Sequence, residues 1–388
     1  MVEIEELLIL FCIFHTCVGL VFRSLARLRT ISFEPFIGIC PTKRQHGLSF
    51  YGSSLATLSF LDHMLHFYIF AQMTMEESAI DGGTFGTAGV SKWTAVIASI
   101  SMALFYVAIL YSPTLILRLP PPDSFKSFMI RRFICAAIST VASLIACSLI
   151  LPIELDASDL LSAYGIRADH FWQAAVFPLS LTALMYAGSL LEALLLLVSC
   201  QENQGDGRNI LSTIPQRFVN SVFSMATNIS AWRNYFVAPV TEELVFRACM
   251  IPLLLCGGFN TYTVVFLCPV FFSLAHLNHL LEYAQRRGNL LQAFMVAAFQ
   301  LGYTVIFGSY ASFLYIRTGH LVAPLVAHIF CNYMGLPAIV SRRSGLTTFA
   351  FLAGLLGFLW LLFPLTSPQL YNNRTDNCNC WHRYCSWN

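Results

Sequence analysis

The residues that could do chemistry fall at three points of an otherwise apolar chain. The first is Val240-Thr241-Glu242-Glu243-Leu244-Val245-Phe246-Arg247. Glu243 and Arg247 are four apart, so they share a helix face and can pair. Glu242 lies about 100° round the helix and has no obvious partner in its own turn. The second point ends Phe271-Phe272-Ser273-Leu274-Ala275-His276, where Phe272 and His276 share a face, with His279 and Glu282 following. The third is His328-Ile-Phe-Cys-Asn332, in which His328 and Asn332 occupy one stripe and can donate hydrogen bonds to the same object.

A carboxylate beside a neutral imidazole can polarise and deprotonate a water. A facing histidine–asparagine pair can donate to the oxyanion that forms when a carbonyl is attacked. Together these are parts for hydrolysing an amide without a covalent intermediate. A zinc protease normally shows HExxH, and the chain contains none. Glu242, Glu243, His276 and His279 keep metal ligation open as an alternative, although no metal or cofactor is expected. Cys331, three residues from His328, could mimic a thiol–histidine pair but has no evident third orienting group. Structural readings compete at each point: a salt-bridged interfacial turn at Glu243 and Arg247, an interfacial His279, and interhelical hydrogen bonding by His328 and Asn332.

The elements that must position these groups are membrane-type helices. Apolar residues make up 57% of the 388 and charged ones 11%, against roughly a quarter charged in soluble domains. The formal net charge of +2 gives no electrostatic footing for nucleic-acid binding. Runs of bilayer length lie at about 93–117, 131–151, 171–199, 235–256, 262–281, 290–316, 320–340 and 347–366. The expectation is an all-α polytopic membrane protein with a core bundle of about eight transmembrane helices. One or two further apolar segments lie N-terminal to it: Leu7–Phe22, which is short, and 55–73, which Asp62, His63 and His66 interrupt. Residues 1–90 then form an extension, 91–370 the membrane-embedded functional domain, and 371–388 a polar tail holding Cys378, Cys380 and Cys385. The cysteines inside apolar runs, Cys135, Cys147, Cys249, Cys256, Cys268 and Cys331, show no CxxC pairing and read as small apolar side chains.

Alternate connections differ in charge. One set holds Arg118, Lys126, Arg131, Arg132, Arg208, Arg217, Arg233, Arg286, Arg287, Arg342 and Arg343; the other holds Arg167, Arg317, Arg374 and Arg383 with several acids. The positive-inside bias puts the first set in the cytosol. At about 1.5 Å per residue, Glu242 lies on the order of 10 Å below the cytosolic start of its helix. His276 and Asn332 lie about 8 and 12 Å from the cytosolic ends of theirs, with His328 roughly one turn deeper. Three helices thus place polar groups at a similar level, as a site opening toward the cytosol requires.

At this point the residues resemble a known family. Glu242-Glu243-xxx-Arg247, Phe272-xxx-His276 and His328-xxx-Asn332 are similar, in order, to the three motifs of CaaX prenyl protease type 2, the Ras-converting enzyme. Ala238-Pro239-Val240-Thr241, Ala248-Cys249 and Arg317-Thr318-Gly319-His320 also look like eukaryotic members. The resemblance covers about residues 90–370. It implies a multi-pass glutamate endoprotease of the endoplasmic-reticulum membrane, facing the cytosol. Such an enzyme removes the last three residues of prenylated CaaX proteins such as small GTPases. It implies that Glu242 and His276 activate water, that His328 and Asn332 form the oxyanion site, and that Glu243, Arg247 and Phe272 support them. A non-catalytic scaffold or transporter binding lipid-linked peptides is the alternative, but no internal repeat of the transporter kind is visible.

Overall fold

A computed structural model describes residues 90–115, 117–151, 157–202, 223–275, 290–337 and 345–371. The segments 7–22 and 55–73, the Cys-rich tail, His276 and His279 all lie outside the described residues. The described elements are helical, with no strand among them. In chain order they are α1 (Lys92–Ala108, continued by the tighter turn Ile109–Tyr111 and the short α-helical Ser112–Leu115), α2 (Phe125–Ile150), α3 (Ala157–Ala163), α4 (Phe171–Met185) and α5 (Ala187–Glu202). Next comes α6, an unbroken rod built from Ile229–Trp232, Arg233–Val237, Ala238–Glu243, Leu244–Cys249 and Met250–Cys256. It is followed by α7 (Thr261–Ala275), α8 (Leu290–Thr318), α9 (Val322–Met334) and α10 (Gly345–Leu365).

Each apolar run of the sequence is therefore helical where it is described, but the runs are not eight equal spans. Lys92–Tyr111, Phe125–Ile150 and Gly345–Leu365 are each long and apolar enough to cross a membrane. The run at 171–199 breaks into α4 and α5, bent by 75°, and counts as a fourth span only if the pair is taken together. Two other boundaries also move. Helix α2 begins before Arg131 because the Ser124 hydroxyl accepts from the Ser127 amide at 3.1 Å, an N-cap placed ahead of the apolar run. Helix α9 stops at Met334, where Gly335 adopts φ +70° and donates its amide to the Cys331 carbonyl.

The packing is inverted relative to a soluble bundle. On α2 the buried face beyond Met129 is small or weakly polar: Cys135, Ala136, Ser139, Thr140, Ser143 and Cys147. Its exposed stripe is Ile134, Ile138, Val141, Ile145 and Leu149, repeating every three or four residues. Large apolar side chains outward and small ones inward is the arrangement of helices that pack closely beneath lipid. Helix α6 is the exception, buried on every side from Val245 to Cys256, as expected of a central helix. Cys256, at its C-terminal end, is disulfide-bonded, which corrects its reading as a small apolar side chain. At the same end of the bundle, Leu321 donates its amide to the Gly165 carbonyl at 2.8 Å and Tyr315 its hydroxyl to the Ala163 carbonyl at 3.0 Å.

The α4–α5 bend is fitted into α10. A Cβ at Gly354 would stand 2.1 Å from the Leu184 carbonyl oxygen and 2.7 Å from Ala187 Cβ, whereas one at Gly357 would meet only Leu184 methyls at 3.8 Å. Replacing Gly354 by alanine should thus force α10 off the bend and destabilise the protein by about 1–3 kcal/mol. Gly357→Ala should be nearly silent. Thermal unfolding of the two variants in detergent checks this, and equal midpoints would contradict the close approach.

Candidate active site

Helix α6 carries the first motif between two departures from α-helical geometry. Arg233–Val237 and Leu244–Cys249 form π-type turns, and Ala238–Glu243 between them is α-helical. Such turns widen a helix locally and recur at functional sites. They bracket Glu242 and Glu243, whose side chains diverge. Glu243 is fully buried; Glu242 keeps 16% of its side-chain surface.

Glu243 Oε1 accepts from Arg247 Nη1 at 3.1 Å and stands 2.7 Å from His328 Nδ1 on α9. An oxygen of a buried carboxylate facing Nδ1 places the ring proton on that nitrogen. The other nitrogen, Nε2, points to Glu242 Oε2 at 3.7 Å. His328 therefore stands between the two carboxylates, bonded to Glu243 and open toward Glu242.

Aromatic rings hold this cluster. Phe272 of α7 lies beneath the guanidinium, with Arg247 Cζ 4.6 Å from its centroid, a distance at which the ring face attracts the cation. Phe272 also packs on Phe246 at 4.9 Å and edge-on to His328 at 6.4 Å. Phe307 of α8 covers His328 at 5.0 Å. Beside Phe307, Gly308 lets α8 close over the ion pair: a Cβ there would stand 2.9 Å from Pro269 Cβ and 3.3 Å from Arg247 Nη2. Nothing in the sequence spacing singled out Phe307 or Gly308, because their roles are contacts between helices.

Asn332, one turn on from His328, is exposed where His328 is buried. Its Nδ2 donates to the Asn234 carbonyl in the first π-type turn at 2.8 Å. The structure thus brings together Glu242, Glu243, Arg247, Phe272 and His328, with Asn332 at their outer edge. Cys331 faces elsewhere, in a cluster with Tyr186, Phe307, Ala311 and Met334. Among the described residues no three His, Cys, Asp or Glu side chains converge as metal ligands.

The comparison with known proteins follows the same residues. The family described as type II CAAX prenyl endopeptidase Rce1-like matches residues 225–334, a stretch that contains every candidate site residue. CAAX prenyl protease 2 of Arabidopsis thaliana is 57% identical over 308 residues, covering 77% of this chain and 98% of that protein. The human CAAX prenyl protease 2 is 37% identical over 309 residues, covering 76% and 88%. The rat protein of that name is 32% identical over 294 residues, covering 74% and 84%. The chain belongs to the type II CAAX prenyl endopeptidase family. Its members are peptide-bond hydrolases by name. No solved structure matches the chain.

The buried ion pair at the centre of this cluster gives a stability prediction. Arg247→Met keeps the volume and the contact with Phe272 but leaves the Glu243 carboxylate uncompensated, and should cost about 3–5 kcal/mol. Adding Glu243→Gln removes the orphaned charge and should recover much of the loss. A double variant no more stable than Arg247→Met, measured by thermal unfolding, would show that the pair does not matter to the fold.

Proposed function

We propose that this chain is an intramembrane glutamate endoprotease that cleaves the C-terminal tripeptide from prenylated CaaX proteins such as small GTPases. The observation that carries the reading is Glu242, a partly accessible carboxylate 3.7 Å from His328 Nε2, beside a histidine already oriented by Glu243. Glu242, with His276, takes a proton from water, and the resulting hydroxide attacks the scissile carbonyl. The tetrahedral oxygen is met by N–H groups of His328 and Asn332. Asn332 suits this role because its amide nitrogen carries two hydrogens; one is held by the Asn234 carbonyl, which fixes the amide plane. His328 faces this oxygen through Nε2, with Nδ1 held by Glu243. The C–N bond then breaks, Glu242 returns its proton to the leaving amine, and the tripeptide departs from a prenylcysteine carboxylate.

The membrane supports this substrate choice. A prenyl chain partitions into lipid at about 0.8 kcal/mol per buried CH₂, which brings the scissile bond to a site just below the surface. Glu242→Ala should abolish hydrolysis of a farnesylated CaaX peptide while the protein stays folded. Asn332→Ala should lower kcat about 10²–10³-fold with a smaller change in KM, and chelators should have no effect. Chelator-sensitive turnover with a near-silent Asn332→Ala would replace this mechanism by metal catalysis. Normal turnover by Glu242→Ala would remove Glu242 from the mechanism, and no turnover by the parent would favour a scaffold.

The same reading makes the protein a multi-pass membrane protein of the endoplasmic reticulum with its site toward the cytosol. Support comes from the basic residues at the Arg233 end of α6, and from the disulfide-bonded Cys256 at its other end, since disulfides persist in oxidising compartments. A tag placed after Asn388 should be protected from protease in sealed microsomes. Its cleavage would reverse the orientation.

A further inference from the structure

The proposed hydrolysis turns on Glu242, yet its carboxylate takes no hydrogen bond from the described residues; His328 Nε2 is 3.7 Å away. The backbone beneath it therefore helps to set its position. That backbone is Ala238–Glu243, six residues of α-helix between π-type turns. A stretch so short, interrupted at both ends, needs pins from neighbouring helices. His328 supplies one from α9 through Glu243.

The second pin comes from α1. The Tyr106 hydroxyl is 2.9 Å from Thr241 Oγ1, the residue next to Glu242. The direction of this bond follows from counting hydrogens. Thr241 has one hydroxyl hydrogen, and it goes to the Val237 carbonyl at 2.7 Å, so Thr241 accepts and Tyr106 donates. Val237 closes the first π-type turn, and the bond chain Tyr106–Thr241–Val237 ties it to α1. The Tyr106 ring meanwhile packs edge-on against Phe246 at 5.7 Å, inside the second π-type turn. One buried tyrosine thus touches both sides of the glutamate pair, and its hydroxyl is within electrostatic reach of Glu242.

We propose that Tyr106 is a positioning residue for Glu242, donating to Thr241 and thereby fixing the rotation of the turn that aims the carboxylate at the reacting water. This rests on the role of Glu242 given above, and Tyr106 lies outside every sequence motif.

The test compares kinetics of the purified full-length chain on a farnesylated CaaX peptide with its unfolding midpoint, using Glu242→Ala as reference. Tyr106→Phe keeps the ring contact and removes only the hydroxyl. It should lower kcat about tenfold, because misaimed catalytic groups lose rate, with KM and midpoint close to the parent. Thr241→Val should lower kcat similarly and also lower the midpoint, since it orphans a buried hydroxyl. The double variant should be no slower than either single and should regain the midpoint, while Thr241→Ser, which retains the acceptor, should turn over like the parent. Parental kcat in Tyr106→Phe beside an inactive Glu242→Ala would overturn the positioning role and leave the hydrolytic reading standing. So would a rate loss matched by an equal loss of midpoint, or additive losses in the double variant. An active Glu242→Ala would instead remove the reading on which the positioning role depends.

Discussion

A fully buried Glu243–Arg247 pair inside an apolar helix is the constraint on which the rest of the structure depends. Either charge alone in that setting would be costly by several kcal/mol. The i,i+4 spacing puts the pair on one face of α6, but one carboxylate oxygen and one guanidinium do not satisfy each other completely. Other helices meet part of the remaining demand, while Glu243 Oε2 and Arg247 Nε and Nη2 take no hydrogen bond among the described residues. His328 comes from α9 to Glu243, Phe272 from α7 lies under Arg247, and Gly308 lets α8 close above it. Four helices converge because a charge pair at their centre requires them to.

Convergence of that kind needs thin walls. Helix α2 turns Ser, Thr, Cys and Ala inward and Ile and Leu outward, so its backbone can approach the central helix closely. Gly308 on α8 and Gly354 on α10 serve the same end, each facing a group that a Cβ would strike. The apolar bulk of the chain is therefore spent on the outside, where the solvent it matches is lipid. Among the described residues the interior combines the small residues of α2 with the aliphatic side chains of α6, the Glu243–Arg247 pair and a set of rings.

How much of this was legible in the sequence depends on whether the interaction runs along one helix or between two. The apolar runs gave the helices because length and hydropathy are local properties. Glu243 with Arg247, and His328 with Asn332, were legible because spacing of four is a property of a single helix. The bond between His328 and Glu243 spans 85 positions, and no spacing rule could assign the histidine to that carboxylate. The 75° bend after Met185 was missed for a related reason: Tyr186 and the carbonyl of Leu184 are accommodated by Gly335 and Gly354, which lie on other elements. Ser124 as the start of α2 was available in the sequence as an N-cap, but the arginines that follow it look like a loop.

The two adjacent glutamates show how one helix can hold a structural and a reactive carboxylate side by side. Neighbouring residues on a helix point about 100° apart, so a central helix that directs one toward the bundle core must direct the next toward its margin. Glu243, in the core, has both Arg247 and His328 as partners and no exposed surface. Those contacts hold it as a fixed negative end for the imidazole. Glu242, at the margin, has surface left and stands 3.7 Å from the far nitrogen of that imidazole. Glu242 keeps surface for water, whereas Glu243 is enclosed, with both its partners on one oxygen. Division of labour between identical side chains thus follows from the helical offset alone, and the π-type turns on either side act on both at once by setting where that offset falls.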